Sequence, residues 1–204
     1  MKNINLVILF SGNGSNMENL INSLHSQEYF LKDTQEKAKI QISCAVTNNP
    51  NAYGISRCEA LGINCEILPH KDFDCREDFD VALIDLLKNY QPDAVILAGF
   101  MRILSPIFTS TIRSINIHPS LLPKHKGSNA IKDTYESDDE FGGVSVHWVN
   151  EILDGGEIIL QDYIPKIAGE SLEEFENRIH QLEYALYPNA ILKALNLTQV
   201  IKNG

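Results

Sequence analysis

Short apolar runs alternate with helical segments along the first half of the chain, and this alternation constrains the fold most. The runs are bounded by Gly, Pro, Asn or Asp, as buried strands are. They occupy residues 5–10, 40–47, 64–68, 93–99 and 114–118. Repeated strand and helix units favour a parallel sheet with helices on both faces. The sequence therefore predicts an α/β fold.

The second half of the chain changes this rhythm. Residues 143–149 and 156–165 are two apolar runs separated by a short Asp/Gly loop, which indicates neighbouring strands in a hairpin-like arrangement. His147 alternates away from its neighbours in the first run and is interpreted as structural. With these runs, we expect a mostly parallel, twisted sheet of about seven strands and a Rossmann-like N-terminal half.

Two helices have sequence signals at their ends. Asp74 and Glu77 predict a capping box for a helix over residues 74–92, and Ser171 with Glu174 predicts a second one over residues 171–195. Pro188 is expected to kink or divide this last helix. Residues 31–39 are polar and predict a solvated connection.

Composition limits the class of protein. The 204 residues predict one domain, 1–204. The net charge of −10 argues against nucleic-acid partners and an anionic membrane surface, so the expected partners are small molecules. Four cysteines without metal-ligand spacing indicate a reducing compartment. We expect a cytoplasmic protein, either a monomer or a homodimer.

A Gly-rich turn, "FSGNGSN" at residues 10–16, follows the first predicted strand and precedes a helix that begins near Ser15. Backbone N–H groups at such a helix terminus suit a phosphate. Met17 stands where the dinucleotide fingerprint has its third Gly, and no Walker Lys follows. A single phosphate ester is the favoured ligand, and an ordinary tight turn is the alternative.

Asn116 and His118 are two positions apart on one predicted strand, so they project from the same side of the sheet. Ligands of open α/β sheets bind beyond the carboxyl ends of the parallel strands, where the loop after His118 is expected. Asp154, followed by two glycines in "LDGGE", could join them. An adjacent carboxylate favours a protonated imidazole, which with the Asn116 amide gives two donors for an oxyanion. The alternative is a structural His at a strand end.

Five stretches in this order resemble the phosphoribosylglycinamide formyltransferase family, the folate-dependent transformylases of purine synthesis: "SGNGSN", "AGFMRILSP", "INIHPSLLP", "GVSVHWV" and "LDGGEIILQ". The resemblance implies a formyltransferase fold, with a phosphate-binding half over residues 1–100 and a folate-binding, catalytic half over 101–204. It implies formyl transfer from 10-formyltetrahydrofolate, as co-substrate, to the amine of 5'-phosphoribosylglycinamide, without a metal.

The resemblance also implies a role for each matching residue. The implied catalytic residues are Asn116, His118 and Asp154. The implied substrate contacts are Gly14, Ser15, Asn16, Met17, Glu18, Glu183, Tyr184, Ala185 and Leu186. The implied folate contacts are Arg76, Met101, Arg102, Ile103, Leu104, Asn116, Asn150, Glu151, Ile152, Leu153 and Asp154.

The chain departs from the family's usual sequence at two places. After "LLP" the family has an aromatic residue, Pro and Gly, whereas this chain has His125, Lys126 and Gly127, and then Ser128 where Leu is common. The segment "ESDDEFGG" at residues 136–143 is more acidic than usual. Both departures concern the loop beyond His118 and leave the three implied catalytic residues unchanged.

Two other functions remain open. A 10-formyltetrahydrofolate hydrolase would keep the Asn, His and Asp set, but its water acceptor needs no phosphate turn. A non-catalytic module that binds phosphate or nucleotide would use the turn, with a merely structural His118.

Overall fold

One mixed sheet forms the centre of the computed structural model, which describes residues 1–199; residues 200–204 of the predicted domain lie outside the described residues. The strands are β1 (Lys2–Phe10), β2 (Glu28–Leu31), β3 (Lys37–Thr47), β4 (Cys65–Ile67), β5 (Ala94–Leu97), β6 (Ser114–His118), β7 (Phe141–Trp148), β8 (Ile158–Pro165) and β9 (Leu197–Gln199). The helices are α1 (Ser15–Leu24), α2 (Gly54–Leu61), α3 (Arg76–Lys88), α4 (Pro106–Thr111), α5 (Ala130–Glu136) and α6 (Leu172–Ala194).

The strand order is β8-β7-β6-β5-β1-β3-β2-β9, and β4 pairs with the end of β3. The central pairings, β1 with β3 and β5, β3 with β4, and β5 with β6, are parallel. Antiparallel pairings extend the sheet through β7 and β8 on one side and through β2 and β9 on the other. The predicted α/β fold is confirmed, but the sheet is mixed rather than mostly parallel.

The two strands missed in the sequence, β2 and β9, are short. Tyr29 of β2 pairs with Ala38 of β3, and both residues are buried. The solvated connection predicted over residues 31–39 is therefore wrong at its ends, which belong to β2 and β3. A strand of four residues is too short for its alternation to stand out against a polar loop.

Helices cover both faces of the sheet because successive β1 side chains point to opposite faces. Ile8 packs in a cluster with Leu20 of α1 and Tyr187 of α6. Leu9 packs in a second cluster with Phe79 of α3 and residues of α4. The buried strand pattern predicted for the first half thus reflects two hydrophobic cores, one on each face.

The start of α3 differs from the predicted capping box. The N-cap is Cys75, whose Sγ accepts a hydrogen bond from the Asp78 N–H at 3.4 Å, so Asp74 lies one residue too early to cap. Phe73 packs edge-on against Phe79, with ring centroids 5.6 Å apart. This contact fixes where the chain enters the helix, much as a hydrophobic staple does.

The last helix begins as predicted but is not divided. Ser171 and Glu174 form the reciprocal capping box at its start. Pro188 lies inside α6, which runs unbroken from Leu172 to Ala194. A proline inside a helix costs about 3 kcal/mol. Burial of Tyr187 and Ile191, one on each side of the proline, offsets that cost.

Candidate active site

Two adjoining cavities lie at the carboxyl edge of the parallel strands, where β1, β5 and β6 end. The larger has a volume of about 860 Å³ and the smaller about 480 Å³. Gly99, Met101, Ile117 and Pro119 line both cavities. The cavities therefore meet between the ends of β5 and β6, which is the position predicted for a ligand site.

The Gly-rich turn forms one wall of the larger cavity through Gly14, Ser15 and Asn16. Gly14 is the N-cap of α1 and has a left-handed φ of 76°. A Cβ atom there would lie 2.8 Å from the Gly54 Cα, so the turn requires glycine for both conformation and space. The first N–H groups of α1 have no carbonyl one turn earlier, which makes this wall suited to an anion.

The opposite wall contains a buried carboxylate on α6. Glu183 is 4% exposed, and its Oε2 accepts from His180 Nδ1 at 2.7 Å and from Asn16 Nδ2 at 3.3 Å. The hydrogen bond to Glu183 raises the pKa of His180. Lys71 and Lys132 line the same cavity. These cations give an acidic chain local positive charge.

The sequence did not single out His180, Lys71 or Lys132. His180 lies three residues before Glu183 on the same helix, a spacing that places two side chains together. That spacing was the available signal. Neither lysine belongs to a motif that separates it from an ordinary surface lysine.

The remaining residues implied as substrate contacts lie away from the lining of both cavities. Met17 is fully buried beneath the turn, and Glu18 forms an ion pair with Arg57. The Tyr184 carbonyl accepts a hydrogen bond from Asn19. Ala185 is exposed on α6, and Leu186 is buried in the core. Of this set, the structure brings Gly14, Ser15, Asn16 and Glu183 together around the larger cavity.

The smaller cavity brings together nearly all residues implied as folate contacts. Its lining includes Met101, Arg102, Ile103, Leu104, Asn116, Asn150, Glu151, Ile152, Leu153 and Asp154. Arg76 lies outside this lining, at the start of α3, where its guanidinium pairs with the Glu77 carboxylate at 2.9 Å. The geometry therefore gives Arg76 an intramolecular partner rather than a place in the cavity.

The segment after β5 is anchored at both ends. The Met101 N–H donates to Ser11 Oγ at 2.8 Å, and the Ser105 N–H donates to the buried Asp80 carboxylate at 2.6 Å. Ser11 Oγ in turn donates to Asn48 Oδ1 at 2.6 Å. Residues 102–104 lie between the anchors and line the smaller cavity. A flat polar ligand can use their backbone groups along one edge.

His118 and Asp154 approach each other in a buried position, with side chains 7% and 6% exposed. His118 Nδ1 lies 3.5 Å from Asp154 Oδ2, and His118 Nε2 lies 2.8 Å from the His125 carbonyl oxygen. Asp154 Oδ2 also accepts from the Gly127 N–H at 3.0 Å. A ring with both nitrogens protonated satisfies both acceptors. The structure thus gives His118 two facing oxygens and Asp154 a fixed orientation.

Asn116 faces His147, its cross-strand partner on β7. His147 Nδ1–H donates to the Trp148 carbonyl at 2.9 Å, which leaves Nε2 as an acceptor for Asn116 Nδ2 at 3.4 Å. The amide nitrogen carries a second N–H, which remains for a ligand. His147 therefore lies inside the site, where it orients Asn116. No sequence signal marks this role, because the register of β6 with β7 brings His147 to Asn116.

In this arrangement His147 is buried and neutral, which can be tested through the pH dependence of stability. Burial is the main cause that lowers the pKa of His147. Neutral His147 contributes fully to the free energy of unfolding above about pH 6.5, the pKa of an unperturbed His. This contribution is lost as the pH falls through the lowered pKa of the folded state. We expect the free energy of unfolding to fall less between about pH 7.5 and about pH 5.5 in His147→Gln than in the unsubstituted chain.

Urea unfolding at the two pH values measures this difference, and His180→Gln supplies a control of opposite sign. The raised pKa of His180 contributes stability at low pH that is lost as pH rises through the folded value. His180→Gln should therefore steepen the fall on acidification. The same pH dependence in His147→Gln as in the unsubstituted chain would contradict a buried neutral His147.

Within residues 1–199, no group of three or more His, Cys, Asp or Glu side chains is placed to hold a metal ion. Nor does this part of the chain contain a helix with the length and apolar character to cross a membrane.

Comparison with known proteins places this geometry in a family. Residues 4–191 match the family described as Formyl transferase. A phosphoribosylglycinamide formyltransferase from Escherichia coli is 41% identical over 190 residues, covering 92% of this chain and 85% of that protein. One from Haemophilus influenzae is 37% identical over 188 residues, covering 91% and 84%.

Solved structures show the same similarity. The crystal structure of phosphoribosylglycinamide formyltransferase from Campylobacter jejuni has a TM-score of 0.87 and 46% identity, covering 94% of this chain and 97% of that one. The Streptococcus pneumoniae enzyme of the same name has a TM-score of 0.83 and 32% identity, covering 96% and 99%. The resemblance seen in the five sequence motifs is confirmed, and the chain belongs to the formyl transferase family, among the members named phosphoribosylglycinamide formyltransferase.

Proposed function

We propose that the chain transfers the formyl group of 10-formyltetrahydrofolate to the amine of 5'-phosphoribosylglycinamide. One observation carries the proposal. Asn116, His118 and Asp154 line the smaller cavity beside Ile117 and Pro119, where it joins a larger cavity walled by the Gly-rich turn. A reaction between two substrates needs such a junction, with polar groups at the point of transfer. The names of the relatives agree with this reaction.

The larger cavity suits the phosphate-bearing substrate. Its phosphate would bind at the N-terminus of α1, where Ser15 and Asn16 present N–H groups near the positive end of the helix dipole. Glu183 on the opposite wall accepts hydrogen bonds and suits hydroxyl or amine donors. In this assignment, residues 1–100 contribute the phosphate site.

The smaller cavity suits the folate co-substrate. Ile103, Leu104 and Ile152 offer apolar surface, and the anchored backbone of residues 102–104 offers donors and acceptors to the edge of a pterin. In this assignment, the folate and catalytic groups come from residues 101–199, which are the described part of the predicted half 101–204. The substrates are small molecules; a cytoplasmic location and a monomer or homodimer stay predictions.

The transfer step uses three side chains. The substrate amine attacks the formyl carbon, a C–N bond forms, and the carbonyl electron pair moves onto oxygen. The free N–H of Asn116 donates to this oxyanion. An N–H of His118 also donates to it, and for this N–H the oxyanion competes with the protein acceptor that faces it, the Asp154 carboxylate or the His125 carbonyl. Asp154 stabilises the protonated His118 ring.

The intermediate then collapses, the bond to folate N10 breaks, and the attacking nitrogen loses the proton that N10 gains. The proton balance closes between the two nitrogens, so the proposed step needs no metal.

Mixing the two substrates with the protein tests this function. We expect the folate absorbance to change only when 10-formyltetrahydrofolate and 5'-phosphoribosylglycinamide are both present, with formylated product found by mass spectrometry. A change with the folate alone would instead indicate a hydrolase. No change in any mixture would indicate a non-catalytic module that binds phosphate or nucleotide.

A further inference from the structure

The two segments that depart from the family's usual sequence contact each other. Asp139 belongs to the acidic segment 136–143, two residues before β7 begins. Its Oδ1 lies 2.6 Å from Lys124 Nζ, and its Oδ2 lies 2.8 Å from His125 Nε2. Each carboxylate oxygen thus has its own partner on the loop after β6. This arrangement fixes the loop more strictly than a single surface ion pair does.

The same loop provides backbone partners to two residues of the proposed catalytic set. The His125 carbonyl accepts from His118 Nε2 at 2.8 Å. The Gly127 N–H donates to Asp154 Oδ2 at 3.0 Å. The position of the 125–127 backbone therefore sets where the His118 ring and the Asp154 carboxylate lie.

The backbone at His125 needs support to hold this position. Its φ of 49° lies in the left-handed region, which is unfavourable for a residue with a Cβ atom. Such a conformation persists where surrounding contacts over-determine it. The side chain of the strained residue is the one that Asp139 holds, so this contact opposes relaxation of the peptide whose carbonyl meets His118.

We propose that Asp139 is a positioning residue for His118, acting through the side chains of Lys124 and His125 and the carbonyl of His125. The inference rests on the proposed function for its effect on turnover, but the placement of the ring is independent of it. Hydrogen bonds from Lys124 and His125 lower the pKa of Asp139 to about 2. The carboxylate therefore stays ionised at neutral pH and holds both partners.

Replacement of Asp139 by asparagine tests the proposal, because Asn keeps the shape and removes the charge. We expect kcat to fall about 3- to 30-fold, with the KM of each substrate changed less than about twofold. Asp138→Asn is the matched control: it removes the same charge from an exposed neighbouring side chain and should leave kcat unchanged. His125→Asn, which tolerates the left-handed backbone, should cause a smaller loss that is not additive with Asp139→Asn.

A second measurement without substrates reports on the His118 ring itself. The ring ¹⁵N signals of His118 should shift in Asp139→Asn and stay in place in Asp138→Asn, because only the first variant loosens the carbonyl that faces Nε2. A kcat loss together with this shift supports the proposal. Unchanged ring signals in Asp139→Asn would overturn it, whatever happens to kcat.

The two hypotheses fail separately. If the unsubstituted chain transfers no formyl group, the proposed function fails, and the ring signals alone then decide the role of Asp139. If the unsubstituted chain is active and Asp139→Asn matches Asp138→Asn in kcat, only the positioning role fails.

Discussion

Asn116→Ala is expected to lower kcat by about 10²- to 10³-fold, the usual effect of removing one oxyanion donor. The side chain projects from β6 beside His118, and its amide is oriented by His147 Nε2 at 3.4 Å. Alanine keeps the strand and removes only the donor. Because the donor acts on charge that develops after binding, the KM of each substrate should change little.

Steady-state kinetics with each substrate varied in turn measures both quantities. Asn189→Ala is the matched control, since it makes the same change at an exposed position of α6. Its kcat should equal that of the unsubstituted chain. Thermal unfolding of Asn116→Ala should show that the variant is folded. Full kcat in this variant would remove Asn116 from the proposed catalytic set.

The placement of Asn116 and His118 could be predicted from sequence because it depends on local rules. A period of two on a strand places them on one side, and Ile115 and Ile117 accordingly pack in the core on the other. The Gly-rich turn is also local: the strand, the glycines and the helix start follow each other within a few residues. Such features need no knowledge of how distant segments pack.

The contacts that complete the site could not be predicted in this way. His147 reaches Asn116 only through the register of β6 with β7, which sequence alternation alone does not fix. His125 presents its carbonyl to His118 from a left-handed backbone, which few residues other than glycine adopt and which sequence alternation does not predict. The predicted cap of α3 was also wrong: the helix starts one residue later, with Cys75 as its N-cap, where Phe73 packs against Phe79.

Gly156→Ala is expected to lower kcat by about 100-fold, although the residue is two positions from Asp154 and has no reactive group. A Cβ atom at this position would lie 1.6 Å from the Trp148 carbonyl oxygen. That carbonyl cannot yield easily, since it accepts from His147 Nδ1, and the Trp148 N–H donates to Glu157. The loop that contains Asp154 must therefore move instead. A displacement of about 1 Å at a reacting group can cost about 10² in rate.

Gly155→Ala gives a graded comparison within the same motif. Its Cβ would meet Ile152 Cγ2 at 2.5 Å, but Ile152 is a loop residue that is 58% exposed and can shift toward solvent. Its loss of kcat should therefore be smaller than that of Gly156→Ala. The decisive measurement is kcat together with the unfolding temperature of both variants. Equal and small effects would mean that the Trp148 carbonyl does not fix the loop, and that Asp154 reaches His118 by another constraint.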